Sequence, residues 1–497
     1  MAEAPTAIAQ LRADFLAADF TTDAIGALIG EVASAALHRE QLLPAIRGSL
    51  DGSALATLVR LFALGLPVAR EDLDRAMPAC GTVGLRELGL VTGEDHVVRA
   101  VCDLRPYGDE SRTWWLASDL SQVVTRSTLP PDHVLGIGGA STTLAGWTPR
   151  RPSARALDVG TGCGVQTLHL LTHCDQVVAT DVSQRALGYA RFNADLNECD
   201  VELRQGSLLD PVEGEVFDLI VSNPPFVITP RSAAMPQYEY RDGGMAGDRL
   251  VRTLIGQLPS VLAPGGVAQV LANWEVPRGR DWRDVLTEWV AGTGLDVWVV
   301  QRDVQDPAQY AELWAGDGGH DRFEGDHHSY DEMYAAWLDD FAGRHVDRIG
   351  FGVITLQVPA TARAPFLDLT EVDGPVGAGM GTVIDAGLRA RTAIAEVGDV
   401  YLLQGYWRAA EDVTEERHSR PGAEDPSVIL LRQGGGLGRA VTMDTALAAF
   451  VSVCDGDLVA AAAIDAIAQL LEVDAAELRT ALLPQIGALV ADGLLVT

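Results

Sequence analysis

The sequence predicts an α/β protein whose central domain is a doubly wound, mainly parallel sheet, flanked by two mainly helical, winged-helix-like domains. Strand-like and helix-like segments alternate from about residue 125 to 358, which is typical of doubly wound folds. A glycine-rich loop joins an apolar strand to a helix early in that region. Both flanks contain several helical segments followed by a strand-like one, the order of a winged-helix module.

Length and charge set the first limits on function. The 497 residues leave room for three domains, because single domains usually contain about 100–200 residues. The chain carries 69 acidic and 37 basic residues, a net charge of −32. Such a charge repels nucleic acids and anionic membranes unless a local basic surface overrides it. The six cysteines form no CxxC pair, which disfavours a disulfide scaffold or a zinc knuckle.

The sequence contains no pattern typical of a targeting signal. Its first residues lack the charged-then-apolar order of a signal peptide. No apolar run reaches the roughly 20 residues that cross a bilayer. We therefore expect a cytoplasmic protein without a membrane partner, while the oligomeric state cannot be predicted.

Residues 1–122 are expected to form the N-terminal winged-helix-like domain. Thr22 is placed to cap a helix whose apolar residues recur at the helical period. An apolar helix and a shorter charged helix follow. Gly93 then marks a turn into a strand, which would form the wing.

Residues 123–358 are expected to form the doubly wound domain, with an insertion at 303–347. The insertion carries several aromatic residues, and such a segment more often packs as a cap on the domain than forms a cage for a ligand. A Pro- and Ala-rich stretch at 359–375 reads as a linker. Residues 376–497 would form a C-terminal α+β domain that ends in three helices and a short strand, again winged-helix-like. The strand candidates of the central domain are ARALDVG, QVVATDV, VELRQ, DLIVSNPP, GGVAQVLANW, LDVWVVQRD and IGFGVITLQV.

The glycine-rich loop, residues 158–164, predicts a ligand site at the end of the first strand. Glycines let the backbone turn sharply and approach a ligand closely. Asp181 ends the next strand, where a carboxylate can accept both hydroxyls of a ribose. A third loop at Ser207 and Leu208 follows the next strand and would border an adenine ring. Dinucleotide enzymes share these features, so the loops alone do not name the chemistry.

The segment Asp218–Phe226, DLIVSNPPF, narrows the chemistry that the site can perform. It ends the fourth strand, where doubly wound sheets place their ligands. The Asn223 side-chain oxygen and the Pro224 carbonyl can accept the two hydrogens of an amine or amide nitrogen. Pro225 helps to fix the backbone, and Phe226 offers a flat face to a planar acceptor.

These motifs resemble the class I S-adenosylmethionine-dependent methyltransferases with a Rossmann-like domain, especially the HemK/PrmC-like branch. The resemblance covers about residues 130–275 and includes the later segment Tyr240–Asp248. It implies S-adenosyl-L-methionine as cofactor and a catalytic signature at Asn223, Pro224, Pro225 and Phe226. Asp158 and the glycines would hold the methionine end, and Asp181 the ribose. The full cofactor set implied is Asp158, Val159, Gly160, Thr161, Gly162, Gly164, Asp181, Val182, Ser207, Leu208 and Asn223.

The acceptor remains open at this point. Phe226 and the winged-helix-like flanks favour an exocyclic amine of an rRNA, tRNA or DNA base, whereas the segment after the signature favours a protein glutamine. A small molecule is a further alternative, and a role in binding alone is disfavoured because both motifs are intact. The partner is thus expected to be a macromolecule. The residues expected to contact it are Ser141, Thr142, Thr143, Arg231 and Arg241.

No metal is expected. His320, Asp321, Asp326, His327 and His328 lie together in the insertion, and both residue types bind metals. Their spacing matches no known arrangement, so the sequence favours a solvated loop.

Overall fold

The computed structural model describes residues 6–94, 96–108, 112–125, 127–231, 237–317, 327–422 and 425–497. The N-terminal region is mainly helical, and a π-helical turn, Val59–Ala63, extends its fifth helix. Thr21, not Thr22, caps the second helix, because Thr21 has the extended backbone of a cap and its hydroxyl accepts a hydrogen bond from the amide of Ala24 at 3.2 Å. The helices are α1 (Ala7–Ala17), α2 (Thr22–Ile29), α3 (Glu31–Leu37), α4 (Leu43–Gly48), α5 (Ala54–Leu58), α6 (Arg70–Ala76) and α7 (Gly81–Glu87).

Two small sheets complete this region. The strands β1 (Val68–Ala69), β2 (Val91–Gly93) and β3 (Val97–Ala100) form an antiparallel sheet in the order β1-β3-β2. The strands β4 (Asp103–Gly108) and β5 (Thr113–Ser118) form a hairpin, and a short helix, α8 (Gln122–Thr125), follows.

An eight-stranded sheet forms the central layer, in the order β13-β11-β12-β10-β9-β6-β7-β8. Only β12 runs antiparallel to its neighbours within this sheet; the other pairs are parallel. The strands are β6 (Ser153–Val159), β7 (Cys174–Asp181), β8 (Glu202–Gln205), β9 (Phe217–Ser222), β10 (Leu262–Pro277), β11 (Asp296–Gln305), β12 (Val346–Gln357) and β13 (Leu367–Glu371). The helices are α9 (Gly139–Trp147), α10 (Val165–Leu170), α11 (Gln184–Leu196), α12 (Arg249–Gln257), α13 (Trp282–Val290), α14 (Pro307–Asp317) and α15 (His327–Gly343).

The strand order positions a ligand site. From β6 the chain proceeds outward through β7 to β8, then crosses back to β9 on the other side of β6. This reversal is the switch point of a doubly wound sheet. Ligands bind outside the carboxyl ends of the strands at such a point. The ends of β6 and β9 carry the glycine loop and the Asn-Pro-Pro segment, respectively.

The expectation that residues 359–375 form a linker is wrong for part of that range, because it contains β13. This strand pairs with β11 in parallel. An ion pair holds the segment before β13 against the sheet. Asp296 is fully buried and accepts hydrogen bonds from the guanidinium of Arg363 and the amide of Phe366, at 2.7 Å and 2.9 Å. The Pro- and Ala-rich composition conceals this strand, because its stability depends on long-range pairing.

The C-terminal region begins with a helix that belongs to the core of the sheet, α16 (Met380–Val397). Met380, Ile384 and Leu388 pack with Trp147 against one sheet face, while α12 and α13 cover the other. Three helices and a strand follow at the end of the chain, as the pattern predicts. The remaining elements are α17 (Asp399–Gln404), β14 (Arg408–Ala409), β15 (Val413–His418), β16 (Val428–Gln433), β17 (Ala440–Met443), α18 (Thr445–Ser452), α19 (Ala460–Leu471), α20 (Ala475–Ala491) and β18 (Leu495–Val496).

Two asparagines join the N-terminal hairpin to the central domain. On α11, Asn193 exchanges two hydrogen bonds with the backbone of Ala117, at 2.7 and 2.8 Å. Asn197 does the same with Trp115, at 2.9 and 2.7 Å. The side-chain amides thus bind the edge of β5 as a neighbouring strand would. Asn193 also donates to the carbonyl of Cys163 at 2.8 Å, which connects this junction to the glycine loop.

Within the part of the chain described above, no helix combines the length and hydrophobicity needed to cross a bilayer.

Candidate active site

A cavity of about 440 Å³ lies at the carboxyl ends of β6, β7 and β9. This volume is in the range of ordinary ligand pockets, roughly 300–1,000 Å³. We call residues 159–163, 180–183 and 206–208 the cofactor wall. Residues 223–225, 239, 240 and 242–244 form the acceptor wall, and residues 133–136 close a third side.

The glycine loop has a backbone that other residues adopt only with strain. Gly160, Gly162 and Gly164 have φ values of 74°, 56° and 93°, in the left-handed region. The amides of Gly160 and Thr161 both donate to the carbonyl of Thr180 at 2.9 Å, which fixes the loop against β7. Gly160 to Gly162 line the cavity, whereas Gly164 begins α10 behind it.

Asp158 does not contact the cavity, which corrects the expectation that it holds the methionine end. It is fully buried behind the loop, where one carboxylate oxygen accepts from the Thr167 hydroxyl at 2.8 Å. The other oxygen has no hydrogen-bond partner among the residues described. Burial raises the pKa of this carboxyl to about 6. Its role is therefore to support the loop from within the core.

Asp181 lies on the cofactor wall as predicted. Its two oxygens accept hydrogen bonds from the amides of Gly162 and Ser183, each at 2.9 Å. Each carboxylate oxygen has a further lone pair, so ribose hydroxyls can still bind. Burial raises the pKa of Asp181, and the nearby carboxylate of Glu239 adds to the effect. Val182 beside it is 54% exposed and offers an apolar face to the cavity.

The third loop completes the cofactor wall. Ser207 and Leu208 line the cavity, and Leu208 has a φ of 49°. The amide of Gly206 donates to the carbonyl of Asp181 at 3.0 Å, which fixes this loop beside the end of β7.

The Asn-Pro-Pro segment faces the glycine loop across the same cavity. Asn223, Pro224 and Pro225 line it, and the side-chain oxygen of Asn223 is buried without a hydrogen-bond partner in the described structure. A buried amide oxygen normally has a partner, so this atom is available to a ligand. The Ser222 hydroxyl donates to the carbonyl of Val159 at 2.8 Å, which joins the ends of β9 and β6. The structure therefore brings together the two motifs that the sequence indicated.

Phe226 lies off the wall, contrary to the expectation that it stacks on the acceptor. It is half-buried and packs against the core around Val227 and Tyr310. Its backbone forms an antiparallel bridge with Asp242, which closes the loop between them. The aromatic side chain on the acceptor wall is that of Tyr240.

Of the three predicted contact residues on α9, only the first lies on the cavity. Ser141 lines it, and its carbonyl accepts from the side chain of Gln166 at 2.7 Å. Thr142 and Thr143 are exposed and lie outside the lining. Successive helical residues point about 100° apart, so three in a row cannot share one wall.

The two predicted arginines have different surroundings. Arg241 is 3% exposed, donates to Asp242 at 3.0 Å and to the carbonyl of Trp314 at 3.1 Å, and is thus part of the protein interior. Arg231 is exposed and donates to the carbonyl of Gly244, at the edge of the acceptor wall. The proposed contact of Arg241 with a substrate is therefore wrong.

Sequence reasoning missed several lining residues, among them Gln166, Thr180, Ser183 and Glu239. Residues 133–136, which lie within the range of the family resemblance, also line the cavity. They reach the cavity because the amide of Val134 donates to the carboxylate of Asp119 at 2.7 Å. That contact is invisible in any local motif. Of the histidine and aspartate cluster, His320, Asp321 and Asp326 lie outside the described residues.

The fold and the site define a class I methyltransferase domain: the sheet order, one reversed strand, the glycine loop, an acidic strand end and an Asn-Pro-Pro wall. Residues 136–288 match the family model described as the methyltransferase small domain. This domain is of the HemK/PrmC type, and its cofactor is S-adenosyl-L-methionine. Residues 17–101 match a domain of unknown function, DUF7059.

Named relatives share this part of the chain. A release factor glutamine methyltransferase of Deinococcus radiodurans is 42% identical over 120 residues, 22% of this chain and 43% of that protein. One from Geobacter sulfurreducens is 37% identical over 158 residues, 30% and 54% of the two chains. A ribosomal RNA small subunit methyltransferase C of Alcanivorax borkumensis is 32% identical over 123 residues, 25% and 33%. The chain thus spans about half the length of these relatives or less.

The residues of the cavity fit the cofactor. Asp181 keeps acceptor capacity for a ribose, and Val182, Ser207 and Leu208 border the space beside it. Gly160 and Gly162 have no side chains to fill the space, and nothing lies within 4 Å of where a Cβ would stand. The unpartnered oxygen of Asn223 lies on the opposite wall of the same cavity.

Proposed function

We propose that this protein transfers a methyl group from S-adenosyl-L-methionine to the side-chain amide nitrogen of a glutamine in a protein. The observation that carries the proposal is the buried, unpartnered oxygen of Asn223 on the same cavity as Asp181 and the glycine loop. An amide nitrogen is a poor nucleophile because its lone pair is delocalised. A site that accepts its hydrogens and aligns it can offset that weakness.

The acceptor wall supplies the groups for this chemistry. When bound, the cofactor supplies a methyl carbon carried on a sulfonium. The Asn223 oxygen and the Pro224 carbonyl would each accept one hydrogen of the NH2 group. Methyl transfer to that nitrogen would break the carbon–sulfur bond of the sulfonium, and the amide would lose one proton to solvent. Alignment accounts for most of the rate, since no metal or strong base is needed.

Three features favour glutamine over a nucleobase as the acceptor. Two of the relatives named above are glutamine methyltransferases. Phe226, which had suggested a base, packs into the core instead of the wall. Arg241, one of the residues expected to contact the macromolecular partner, is buried, and the chain carries a net charge of −32. The relative named for ribosomal RNA makes a base amine the other outcome to test.

A labelling experiment tests the acceptor class. Purified protein is incubated with methyl-tritiated cofactor and either protein extract or nucleic acid from cells lacking this gene. We expect label in protein that survives nuclease and, after hydrolysis, is recovered as N-methylglutamine or its breakdown product methylamine. Label confined to RNA or DNA would replace glutamine by a nucleobase amine. No label in any pool would refute methyl transfer itself.

The variant Asn223→Ala tests the catalytic role. We expect transfer to fall at least about 100-fold, the usual cost of removing one acceptor or donor aimed at the reacting group. Cofactor affinity, measured by calorimetry, should change less than about twofold, because Asp181 and the glycine loop remain. Thr287→Ala is the control: it removes an exposed hydroxyl of α13 outside the cavity and should keep full activity. Equal rates for the two variants would remove Asn223 from the mechanism.

A further inference from the structure

The loop after the Asn-Pro-Pro segment is held by side chains from distant helices. The amide of Ile228 donates to the Tyr310 hydroxyl on α14 at 2.8 Å. Its carbonyl accepts from the indole nitrogen of Trp337 on α15 at 2.9 Å. These partners are 82 and 109 residues away in the chain, and both are fully buried. Backbone groups usually pair with other backbone groups, so a residue bound on both sides by two aromatic side chains needs an explanation.

The Tyr310 oxygen also joins this loop to the sheet. Asn273 on β10 is buried and donates its side-chain NH2 to the same oxygen at 3.1 Å. The tyrosine is therefore a shared acceptor between the sheet and the loop. A phenylalanine there would leave two buried donors without this acceptor, which is costly.

A third contact joins α14 to the returning half of the loop, around Arg241. Arg241 donates to the carbonyl of Trp314, and its guanidinium lies 5.9 Å from the Trp337 ring centre. The amide of Val227 in turn donates to the Arg241 carbonyl at 3.2 Å. The outgoing half of this loop, at Ile228, and its returning half, at Arg241, are thus both held by α14 and α15.

We infer that α14 and α15 form a clamp that positions the acceptor wall, with Tyr310 and Trp337 as positioning residues for the acceptor and not for the cofactor. This inference rests on the proposed function. Ile228 lies five residues after Asn223, and the two prolines between them restrict the backbone. A shift at Ile228 therefore moves the Asn223 oxygen and the Pro224 carbonyl. The cofactor wall is held separately, by bonds between β6, β7 and the glycine loop.

Two single-hydroxyl variants test the clamp. Tyr310→Phe removes the shared acceptor. Tyr334→Phe is the matched control, because its hydroxyl on α15 is exposed and contacts Glu312 at 3.3 Å. Amide hydrogen exchange in the peptide containing Ile228 should be about tenfold faster in Tyr310→Phe than in wild type, as expected for one lost buried hydrogen bond. The control should exchange like wild type.

Kinetics separate positioning from general damage. At saturating cofactor, Tyr310→Phe should label protein extract about tenfold more slowly than Tyr334→Phe. The KM for S-adenosyl-L-methionine should stay within about twofold in both variants. A variant that is merely unstable would lower the amount of active protein without speeding exchange selectively at Ile228. Should Tyr310→Phe not fold, Trp337→Phe removes the donor to the Ile228 carbonyl and takes its place.

The outcomes distinguish this inference from the proposed function. Wild-type enzyme that labels no acceptor refutes methyl transfer, and with it the catalytic role of the clamp. Active wild type with equal rates and equal exchange in Tyr310→Phe and Tyr334→Phe refutes the clamp alone. A higher cofactor KM at unchanged labelling rate would also refute it, because the two helices would then act on the cofactor wall.

Discussion

The two walls of the cavity are held by contacts of different range. On the cofactor wall, the amides of Gly160 and Thr161 bind the Thr180 carbonyl of β7, and Asp181 binds the amides of Gly162 and Ser183. All these groups belong to adjacent strand–loop–helix units. On the acceptor wall, the loop after Asn223 depends on Tyr310 and Trp337, 82 and 109 residues from the Ile228 they bind.

This difference has a physical basis. A glycine loop at a strand end is specified by local backbone freedom and by the neighbouring parallel strand. A loop between a strand and a distant helix has few local partners, so its buried backbone groups must find side chains elsewhere. Short motifs therefore specify the cofactor wall, whereas tertiary packing specifies the acceptor wall.

Removing Arg241 should produce the largest effect on stability. It is 3% exposed and binds Asp242, itself buried, and the carbonyl of Trp314. Arg241→Ala leaves a buried carboxylate without its cation, which costs about 3 kcal/mol or more of the free energy of unfolding. Urea unfolding measures this loss. Because Arg241 supports the loop that carries the acceptor wall, methyl transfer should fall more than cofactor affinity.

Arg231→Ala is the matched control, since it removes the same side-chain type from the same loop. Arg231 is exposed and donates to the carbonyl of Gly244. Exposed contacts of this kind contribute little, so we expect a change below about 0.5 kcal/mol. Equal losses for both variants would mean that burial does not separate the two arginines.

Asp158 should show an intermediate effect, through pH. Folding raises its pKa from 3.8 to about 6, mainly because the group is buried. A group with a raised pKa contributes stability below its unfolded pKa and loses it as the pH rises through the folded value. The wild-type free energy of unfolding should therefore fall by about 2 kcal/mol between roughly pH 4 and pH 6 on account of this residue.

Asp158→Asn removes that titration while keeping the acceptor for the Thr167 hydroxyl. Relative to wild type, it should gain stability as the pH rises from about 4 to 7, by the amount that the carboxylate loses. Asp175→Asn, an exposed change on β7 that leaves the Asp158 carboxyl in place, is the matched control. Parallel profiles for wild type and Asp158→Asn would show that the buried carboxyl does not titrate in this window.

The same distinction explains which parts of the molecule the sequence could predict. The succession of β6, β7, β8 and β9 along the chain, the sharp turn at the glycines and the place of Asp181 at the end of β7 all follow from strand period and loop chemistry. Phe226 was misplaced, because the bridge between residues 226 and 242 depends on a loop that closes over 16 residues. No local pattern specifies that closure.

Burial was the second source of error. The family resemblance places Asp158 at the site, and Arg241 is a charged residue near the motifs, but neither observation reveals that both side chains are buried. In the structure the Thr167 hydroxyl binds one oxygen of Asp158, and Arg241 binds Asp242 and the carbonyl of Trp314. β13 is a similar case, since its pairing with β11 and the Arg363–Asp296 ion pair are contacts about 70 residues apart.

The smallest effect we predict lies within the cofactor wall itself. Gly162 has a φ of 56°, and open space surrounds the position of a Cβ, so strain and not a clash opposes a side chain there. Gly162→Ala should lower the free energy of unfolding by about 1 kcal/mol. Its methyl group would also enter the cavity and weaken cofactor binding.

Gly188→Ala is the control, in the exposed middle of α11 with nothing within 4 Å of the position of a Cβ. It should instead raise stability by about 0.5–1 kcal/mol. Opposite signs in thermal or urea unfolding would show that the backbone of the loop, fixed by its own neighbours, sets the cofactor wall. Two stabilising changes would place Gly162 in an ordinary backbone conformation and remove that basis for the comparison.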